Sequence, residues 1–519
     1  MFCGLIVAAC AEPEVGEIAV VEGFAGVVAA DEPRATLIGR EVLGNGGNAI
    51  DAAVAMYFAM AVTMPSRVSL GGGGVCVVFS PEGDSPRGEA IEFLPRAAPS
   101  GGMVPSGMRA MAVLHARYGR LRWAQVLAPA EALARFGVAV SRAFVQDLQA
   151  AHGLIEADPE LRRIFSTADG RLADVGDRIV QPELSGVLSG IRQKGAAYLH
   201  SGPFTRRLAE ASSAVGLPLT AEDVRANLPR VTDAIALPVG RDVAFFAPPR
   251  ATGGLVAAQI FGMLTGPRSY DGAGSEERPH LFVEAAERAY ADRAVWMQPD
   301  GTSRVPVADL VADERLERLI ADYDSARHKP AESFSPRPPE IMTRAYSAGF
   351  VAGDRRSNAV ACSFTMNRLF GAGRMARGTG ILLAAPPRSQ NDGSTSLNAV
   401  VVANTNVDRV RFAGTAGDGP AGSTALARVM LDSLIGGRAL DEAVAAPRLH
   451  HGGWPDVVLT ETGIGQGVRD ALQARGHRLQ PVPAIGRVNA FHCADGLGSG
   501  GDCRAVHDPR GFGLAYRAQ

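Results

Sequence analysis

The segment between Ser347 and Thr365 constrains the fold more than any other part of the sequence. Residues 348–352 are small and apolar, as in a buried strand, and residues 359–365 are apolar and β-compatible. Between them, Gly-Asp-Arg-Arg-Ser-Asn at residues 353–358 has the residue types of a tight turn. The pattern predicts a β-hairpin in the core. Many hairpins begin with serine, but one at this position is held rigidly, as a nucleophile must be.

The sequence around this hairpin resembles the processing region of the gamma-glutamyltranspeptidase family, a group of N-terminal-nucleophile hydrolases. That region contains Thr-Thr-His-Phe/Tyr-Ser-Val-Val-Asp, a Gly-Asn-Ala-Val turn, Thr-x-Asn, Phe-Gly-x-Gly and Gly-Ile-Leu-Leu. Here Asn-Ala-Val occupies residues 358–360, Thr-Met-Asn 365–367, Phe-Gly-Ala-Gly 370–373 and Gly-Ile-Leu-Leu 380–383. The elements align without gaps, so the register of the resemblance is well fixed.

In this register the family's nucleophilic threonine falls on Ser347, its second threonine on Thr365 and its asparagine on Asn367. The resemblance implies that the chain cuts itself before Ser347, so that the new N-terminus carries a hydroxyl nucleophile and an amine that serves as its base. Thr365 would hydrogen-bond the nucleophile and Asn367 would orient it. These three residues form the predicted catalytic set.

The first motif also departs from the family, because Ala348, Gly349 and Val351 replace its second threonine, its histidine and its serine. Phe350 and Asp354 match. The resemblance covers nearly the whole chain from about residue 20, in order. It therefore implies the family's fold, a four-layer αββα sandwich of the mixed α/β class, cut from one precursor into two subunits.

The implied division places a tail or signal segment at residues 1–20, a large subunit at 21–346 and a small subunit with the N-terminal nucleophile at 347–519. A proline-rich polar stretch at 331–339 precedes the predicted cut, and such composition favours an accessible linker. The two fragments are expected to stay associated with each other. No other macromolecular partner is predicted.

The substrate residues are predicted from less complete matches. Glu-Phe-Leu-Pro-Arg-Ala-Ala-Pro at 92–99 corresponds to the family's Asp-Phe-Arg-Glu-x-Ala-Pro, whose arginine holds the substrate α-carboxylate in a bidentate contact. Leu94 occupies the matching position, so either Arg96 takes over that role or it is a solvated surface charge. Asp392 is a weak substitute for the missing aspartate that binds the substrate amine. Thr395-Ser396 falls on the family's Ser-Ser pair.

Glycine-rich segments raise two further interpretations. The backbone amides of Ala421 and Gly422, in the glycine-rich stretch 414–422, are predicted to form an oxyanion hole as the family's Gly-Gly does. The same stretch also fits a tight strand-to-helix turn, and the two interpretations are compatible. Four glycines at 71–74 lack the Lys-Ser/Thr ending of a phosphate loop and precede a strand. Close backbone packing is predicted there, and no nucleotide site.

Helices are predicted at 35–43, 49–63 (with Asn48 as N-cap), 108–118, 123–136 and 184–194. A further helix, 280–293, resembles the family's Glu-Ala-x-Lys-x-Ala-Tyr-Ala-Asp-Arg element, and its charges are interpreted as a solvated or salt-bridged face.

Composition excludes other classes of function. The 519 residues carry a net charge of −2 without a basic run, which argues against a nucleic-acid surface. The cysteines lack zinc-ligand spacing and the histidines form no cluster in the sequence, so neither a metal nor a cofactor is expected.

The cysteines bear on the cellular compartment. Leu-Ile-Val-Ala-Ala-Cys at 5–10 resembles the lipobox of bacterial lipoproteins, which implies lipidation of Cys10 and a periplasmic or envelope-anchored protein. The segment lacks a positive n-region, and an ordinary apolar tail is the alternative. Cys76 and Cys362 are predicted to be buried thiols. Cys493 and Cys503 are placed to close a hairpin if the protein is exported.

Three functions follow. The first is a γ-glutamyl hydrolase or transferase that moves the acyl group of a glutathione-like amide to water or an amine through an ester on Ser347. The second is an amidase of the same fold with another acyl specificity, motivated by the displaced Arg96 and the missing aspartate. The third is a non-catalytic envelope scaffold.

Overall fold

The computed structural model describes residues 23–81, 88–334, 336, 346–387, 395–498 and 502–519. In chain order the strands are β1 (Gly26–Ala30), β2 (Gly73–Phe79), β3 (Glu89–Phe93), β4 (Arg96–Ala97), β5 (Met103–Val104), β6 (Val138–Ala139), β7 (Arg178–Ile179), β8 (Arg230–Asp233), β9 (Ile235–Val239), β10 (Asp242–Phe246), β11 (Ser347–Asp354), β12 (Ala359–Thr365), β13 (Met375–Ala376), β14 (Ile381–Leu382), β15 (Asn398–Asn404), β16 (Arg409–Gly417), β17 (Leu449–His451), β18 (Val458–Glu461), β19 (Leu479–Val482), β20 (Arg487–Cys493), β21 (Cys503–Val506) and β22 (Leu514–Ala518).

The α-helices are α1 (Pro33–Gly44), α2 (Ala49–Thr63), α3 (Gly107–Tyr118), α4 (Trp123–Phe136), α5 (Arg142–Ala150), α6 (His152–Ala157), α7 (Pro159–Phe165), α8 (Pro182–Lys194), α9 (Ala197–His200), α10 (Pro203–Ser213), α11 (Ala221–Ala226), α12 (Thr252–Thr265), α13 (Arg278–Trp296), α14 (Asp313–Ile320), α15 (Pro420–Met430), α16 (Leu440–Ala445) and α17 (Gln466–Ala474). Short 3-10 turns lie at Val307–Leu310 and Ala331–Ser333, and a π-helical turn at Leu431–Ile435 extends α15.

Two antiparallel sheets form the centre of the molecule. Sheet I has the strand order β22-β1-β11-β12-β2-β3-β8, and sheet II has the order β21-β20-β16-β15-β10-β9. Side chains alternate between the two faces of each strand. Thus Ala348 and Phe350 face the helical core over sheet I, whereas Val351 belongs to the core between the sheets. Val400 and Phe412 of sheet II pack with α12, α13 and α15 on the far side. The layer order is helices, sheet I, sheet II, helices, which confirms the predicted fold.

The predicted hairpin is present as β11 and β12, with Ser347 opposite Thr365 and Gly353 opposite Ala359. β2 continues the sheet, and Gly73 lies opposite Thr365. The glycine run packs as predicted, because an added Cβ at Gly73 or Gly74 would lie 2.1 or 2.3 Å from a neighbouring carbonyl oxygen.

The predicted helices are present, with ends that differ by only a few residues. In α2, Asn48 accepts from the Asp51 N–H and the Asp51 carboxylate accepts from the Asn48 N–H, which completes a capping box. The sequence interpretation of α13 needs correction: Glu284, Glu287 and Arg288 are buried, so that face is salt-bridged but not solvated. No helix in the described ranges is long and apolar enough to cross a membrane.

Two disulfides lie within the described ranges. Cys493 and Cys503 are joined and close the β20–β21 pair, the position predicted from the sequence. Cys76 and Cys362 also form a disulfide, so the prediction of buried thiols there is wrong. Their apolar surroundings indicated burial correctly, but the pairing depends on the register of β2 and β12, which places the two residues directly opposite each other.

Candidate active site

Ser347 is the first residue of β11 and is 1% exposed. Strand alternation turns its side chain away from the α2 layer and toward sheet II. The side chain of Thr365 shares this face and lies on the adjacent strand, directly opposite Ser347. Tyr346, on the other side of the predicted cut, packs against the helical core with the guanidinium of Arg67 5.6 Å from its ring centre. The Tyr346–Ser347 bond therefore lies where sheet I, sheet II and the helical layer meet.

The Ser347 hydroxyl is held by the turn that joins β16 to α15. Its Oγ accepts a hydrogen bond from the Asp418 N–H at 3.1 Å. Asp418 and Gly419 have φ values of 73° and 65°, in the left-handed region, and Pro420 then begins α15. Aspartate and glycine tolerate that conformation better than most residues do. The turn thus places the positive end of a helix beside the nucleophile candidate.

Two arginines hold the backbone carbonyl of Ser347. Arg67 Nη1 and Arg487 Nη2 each donate to that oxygen at 3.2 Å. The Asp418 carboxylate lies between them, 3.5 Å from Arg67 and 3.1 Å from Arg487. The Asp418 N–H thus contacts the Ser347 hydroxyl directly. The Asp418 carboxylate instead pairs with the two guanidinium groups that hold the Ser347 carbonyl.

Arg67 is itself fixed by Asp147 of α5, which accepts from its Nε and its Nη2 at 2.7 Å. Ser66 donates to the same carboxylate at 2.6 Å. Burial opposes the charge of Arg67, but Asp147, with Asp418 and Asp31, raises its pKa above the ordinary value. The guanidinium is therefore permanently charged and has a single buried orientation.

A second buried carboxylate, that of Asp31, contacts β11 two residues after Ser347. Asp31 accepts from the Gly349 N–H at 2.8 Å, and Asn489 donates to the Gly349 carbonyl at 3.4 Å. Burial raises the pKa of Asp31, while the charge of Arg487 and the Gly349 N–H oppose that shift. These contacts pin both backbone groups of Gly349, the position where the family motif has histidine.

Thr365 and Asn367 form a small network of their own. The Thr365 Oγ1 accepts from the Asn367 N–H at 2.8 Å, and Asn367 Nδ2 donates to the Ala385 carbonyl at 2.7 Å. Asn367 has φ 64°, which asparagine tolerates well. The structure thus brings all three predicted catalytic residues together. Within the described residues, however, the direct contact to Ser347 Oγ comes from Asp418.

The predicted oxyanion residues Ala421 and Gly422 lie in the first turn of α15. They follow Asp418, which contacts Ser347, by three and four residues. The Gly422 N–H already donates to the Gly419 carbonyl at 3.0 Å. The Asp418 N–H, which the sequence prediction did not single out, points at Ser347 Oγ. The assignment of Ala421 and Gly422 stays a prediction.

Thr395 and Ser396 lie just before β15. The Ser396 Oγ is 3.3 Å from Thr252 Oγ1, and β15 pairs with β16 so that Asn398 lies opposite Ala416. This pairing places Ser396 beside the Asp418 turn. Asp392, the other predicted ligand on this segment, lies outside the described residues.

Arg96 is exposed on the short strand β4. It lines a hollow of about 280 Å³ with Glu222, Asp223 and Asn227. Leu94 follows β3, the third strand from β11, at about 14 Å from β11 by strand spacing. Among the described contacts none joins Arg96 to Ser347, and its substrate role stays a prediction.

With this geometry established, comparison with known proteins identifies the family. The family profile described as Gamma-glutamyltranspeptidase matches residues 35–517. The chain belongs to the gamma-glutamyltranspeptidase family. It is 26% identical to the glutathione hydrolase proenzyme of Escherichia coli (strain K12), with 93% of this chain and 90% of that protein covered. It is 28% identical to the acylase ACY 1 proenzyme of Pseudomonas sp. (strain SE83), with 93% and 92% covered.

The fold is similar to that of cephalosporin acylase from Bacillus halodurans, with a TM-score of 0.78, 22% identity and 99% of each chain covered. These similarities support an amidohydrolase of the N-terminal-nucleophile type, a hydrolase or transferase of this family. In this chain Ser347 is buried, and Arg67, Arg487 and Asp418 contact it.

Sequence reasoning missed three residues that contact Ser347: Arg67, Asp418 and Arg487. Asp418 lies in the glycine-rich stretch that was recognised, and an aspartate between two glycines is a signal for a left-handed turn. Arg67 and Arg487 lie in unrelated segments and give no comparable signal.

Proposed function

We propose that this family member cuts its own chain before Ser347 and then uses Ser347 to transfer acyl groups from amides, γ-glutamyl amides first among them, to water or an amine. One observation carries the proposal. The Ser347 hydroxyl accepts the Asp418 N–H, while two arginines hold the carbonyl of the same residue. A serine whose hydroxyl and backbone carbonyl are both held by hydrogen bonds is pre-organised for attack.

The proposed cut is an N-to-O acyl shift followed by hydrolysis. The Ser347 Oγ attacks the carbonyl carbon of Tyr346, the C–N bond breaks, and an ester forms while the α-amine of Ser347 is released. Water then cleaves the ester, which leaves a carboxylate on Tyr346 and returns the serine hydroxyl. The freed amine, with an unperturbed pKa of about 7.7–8.0, can accept the hydroxyl proton in later turnovers.

In turnover, Ser347 would attack the substrate amide carbonyl and expel the amine, forming an acyl ester that water or a second amine resolves. The Asp418 N–H, which contacts Ser347 Oγ, and the N-terminal end of α15 are the proposed donors to the developing oxyanion. Thr365 and Asn367 fix the backbone beside the nucleophile. Serine lacks the methyl group that restricts χ1 of threonine, so a less restricted nucleophile is expected.

The decisive experiment is a denaturing gel under reducing conditions with N-terminal sequencing of the fragments. The wild-type protein is expected to give two fragments, the smaller beginning Ser-Ala-Gly-Phe at Ser347. Ser347→Ala should stay one chain and be inactive, because both hydroxyl and freed amine are lost. Ser347→Thr should still be cut. Ser363→Ala, which removes a buried serine hydroxyl from β12 of the same hairpin, is the matched control and should be cut normally.

A wild-type chain that stays intact after long incubation would remove both enzymatic proposals and leave the scaffold function. Cleavage at another bond would move the nucleophile away from Ser347.

The acyl specificity is tested with three p-nitroanilides that differ by one group at a time. The γ-glutamyl substrate has an α-amine and an α-carboxylate, the glutaryl substrate lacks only the amine, and the butyryl substrate lacks both. A preference for γ-glutamyl supports the first function. The alternative, an amidase of other acyl specificity, is favoured by the exposed position of Arg96. It predicts equal or higher kcat/KM for glutaryl or butyryl.

We also propose that the protein works in an oxidising, extracytoplasmic compartment, where structural disulfides form. The two disulfides support this, and the predicted lipid anchor at Cys10, outside the described residues, would hold the protein at a membrane. Cys10→Ser should then release the protein from membrane fractions. Wild-type protein found wholly in the cytoplasm would refute the proposal.

A further inference from the structure

A buried cluster of histidines and carboxylates lies away from Ser347, on the far side of sheet II. Its members come from four separate segments: α13, the stretch after α14, β17 with the turn that follows it, and the stretch between α17 and β19. The residues are His280, Glu284, Glu287, His328, His451, Asp456 and His477. Histidines that are dispersed in the sequence thus form a cluster, contrary to the sequence expectation.

His328 is the centre of one half of the cluster. Its Nδ1 lies 2.7 Å from Glu284 Oε1 and 3.6 Å from Glu287 Oε2, and its Nε2 lies 2.9 Å from Asp456 Oδ1. The Asp456 carboxylate on Nε2 fixes the ring and leaves Nδ1 directed at Glu284 and Glu287. This is the arrangement that orients a metal-ligating histidine.

Glu287 is the anomalous member. Its side chain is 0% exposed, and neither carboxylate oxygen has a hydrogen-bond partner among the described residues. Protonation alone does not resolve this, because a carboxylic acid would still need an acceptor for its proton. In the helix motif that α13 resembles, lysine stands at this position. This chain therefore has a buried carboxyl group where the motif has an ammonium group, in the same cluster as Glu284 and Asp456.

Two further histidines lie on the other side of Glu284 and contact each other. His477 Nε2 is 3.8 Å from Glu284 Oε1 and 2.7 Å from His280 Nδ1. The His280 Nε2 lies 2.9 Å from the Asp324 carbonyl, to which it can donate. His280 Nδ1 then accepts from His477 Nε2, and His451 Nδ1 already accepts from the Gly453 N–H at 3.1 Å, so these nitrogens are occupied.

We propose that Glu284, Glu287 and His328 bind a divalent transition-metal ion. The three groups offer ligand atoms within 4.8 Å of one another. Tetrahedral Zn²⁺ with bonds of about 2.0–2.2 Å separates its ligand atoms by roughly 3.3 Å, so small side-chain movements close the site. A mixed imidazole and carboxylate set suits Zn²⁺ better than Ca²⁺ or Mg²⁺, which take oxygen ligands.

The local charges also favour a cation. Glu284 is already paired with Arg288, and His328 with Asp456, so the charge of a divalent cation would compensate chiefly Glu287, which has no hydrogen-bond partner among the described residues. Binding releases the proton that His328 Nδ1 needs in order to donate to Glu284 without metal. Asp456, which holds His328 Nε2, lies after Ser347, whereas the three proposed ligands lie before it, so the site would be supported from both parts of the proposed cut chain.

The test is metal binding by untagged protein, freed of metal and then incubated with Zn²⁺ and desalted. Wild-type protein is expected to retain about one equivalent per chain by elemental analysis. Glu287→Gln, which keeps the shape of the side chain, should weaken Zn²⁺ binding at least tenfold. Glu287→Lys, which restores the motif residue, should abolish it with the fold intact by circular dichroism. His152→Gln, which removes an exposed histidine, is the matched control and should bind normally.

X-ray absorption of the Zn²⁺-loaded wild type gives a measurement that does not depend on a variant. Imidazole and carboxylate ligands in the first shell are expected. Wild-type protein that retains no Zn²⁺, a first shell without imidazole, or equal retention by wild type and Glu287→Lys would each overturn the site. None of these readouts depends on activity, so the outcome is separate from that for Ser347.

Discussion

The disulfide between Cys76 and Cys362 connects the part of the chain before Ser347 to the part after it. The two residues are separated by 286 positions, and the proposed cut lies inside that loop. The fragments 1–346 and 347–519 should therefore remain covalently joined. On a denaturing gel without reductant, mature protein from an oxidising compartment should run as one species of the full 54.1 kDa mass. With reductant it should separate into two.

The same loop length gives a magnitude for stability. Loop-closure entropy for a separation of 286 residues predicts about 5–6 kcal/mol of stabilisation at 25 °C, against about 3 kcal/mol for the ten-residue separation of Cys493–Cys503. The uncut Ser347→Ala chain is the background in which this loop is continuous. In it, Cys362→Ser should lower the free energy of unfolding by about 2–3 kcal/mol more than Cys503→Ser does, as measured by urea denaturation.

Two outcomes would refute this reasoning. Fragments that separate without reductant would mean that Cys76 and Cys362 are not joined in the mature protein. An equal loss of stability in the two cysteine variants would mean that loop closure does not govern the contribution of the disulfides. Alkylation of free thiols before denaturation provides the control for incomplete oxidation.

Three further predictions concern single side chains. Arg487→Ala removes a charged hydrogen bond to the Ser347 carbonyl and should lower kcat/KM roughly thirtyfold in steady-state assays, a loss of about 2 kcal/mol of transition-state stabilisation. An unchanged kcat/KM would show that Arg67 alone is sufficient to hold the carbonyl. Arg96→Ala should raise KM for the γ-glutamyl substrate if the predicted carboxylate contact forms, and an unchanged KM would assign Arg96 to the surface. Burial lowers the pKa of His200 to about 3, so the unfolded chain binds a proton below about pH 6.5 that the folded chain excludes. Stability should therefore fall, by up to about 1.4 kcal/mol per pH unit, as pH drops from 6.5 toward 3, and His200→Leu should flatten that slope in denaturation experiments; an unchanged slope would place the acid sensitivity elsewhere.

The sequence by itself determined the local elements. The polar turn between two apolar runs specified the β11–β12 hairpin, and the N-cap Asn48 with an apolar run specified α2, because turn and capping chemistry act over a few residues. The ordered motifs fixed Ser347, Thr365 and Asn367 in one register. These features survive in a linear sequence because their physical causes are local, or because their spacing along the chain is itself the signal.

Only the tertiary structure decided which distant groups surround Ser347. Arg67 follows α2, Asp418 follows β16 and Arg487 begins β20, and the stacking of sheet II on sheet I brings them together. The register of β2 against β12 likewise places Cys76 opposite Cys362, where the two form a disulfide. Packing of α13 against segments far along the chain buried Glu287 among histidines. Such contacts depend on strand register and layer packing, which place side chains from distant segments within a few ångströms, and no local pattern records that placement.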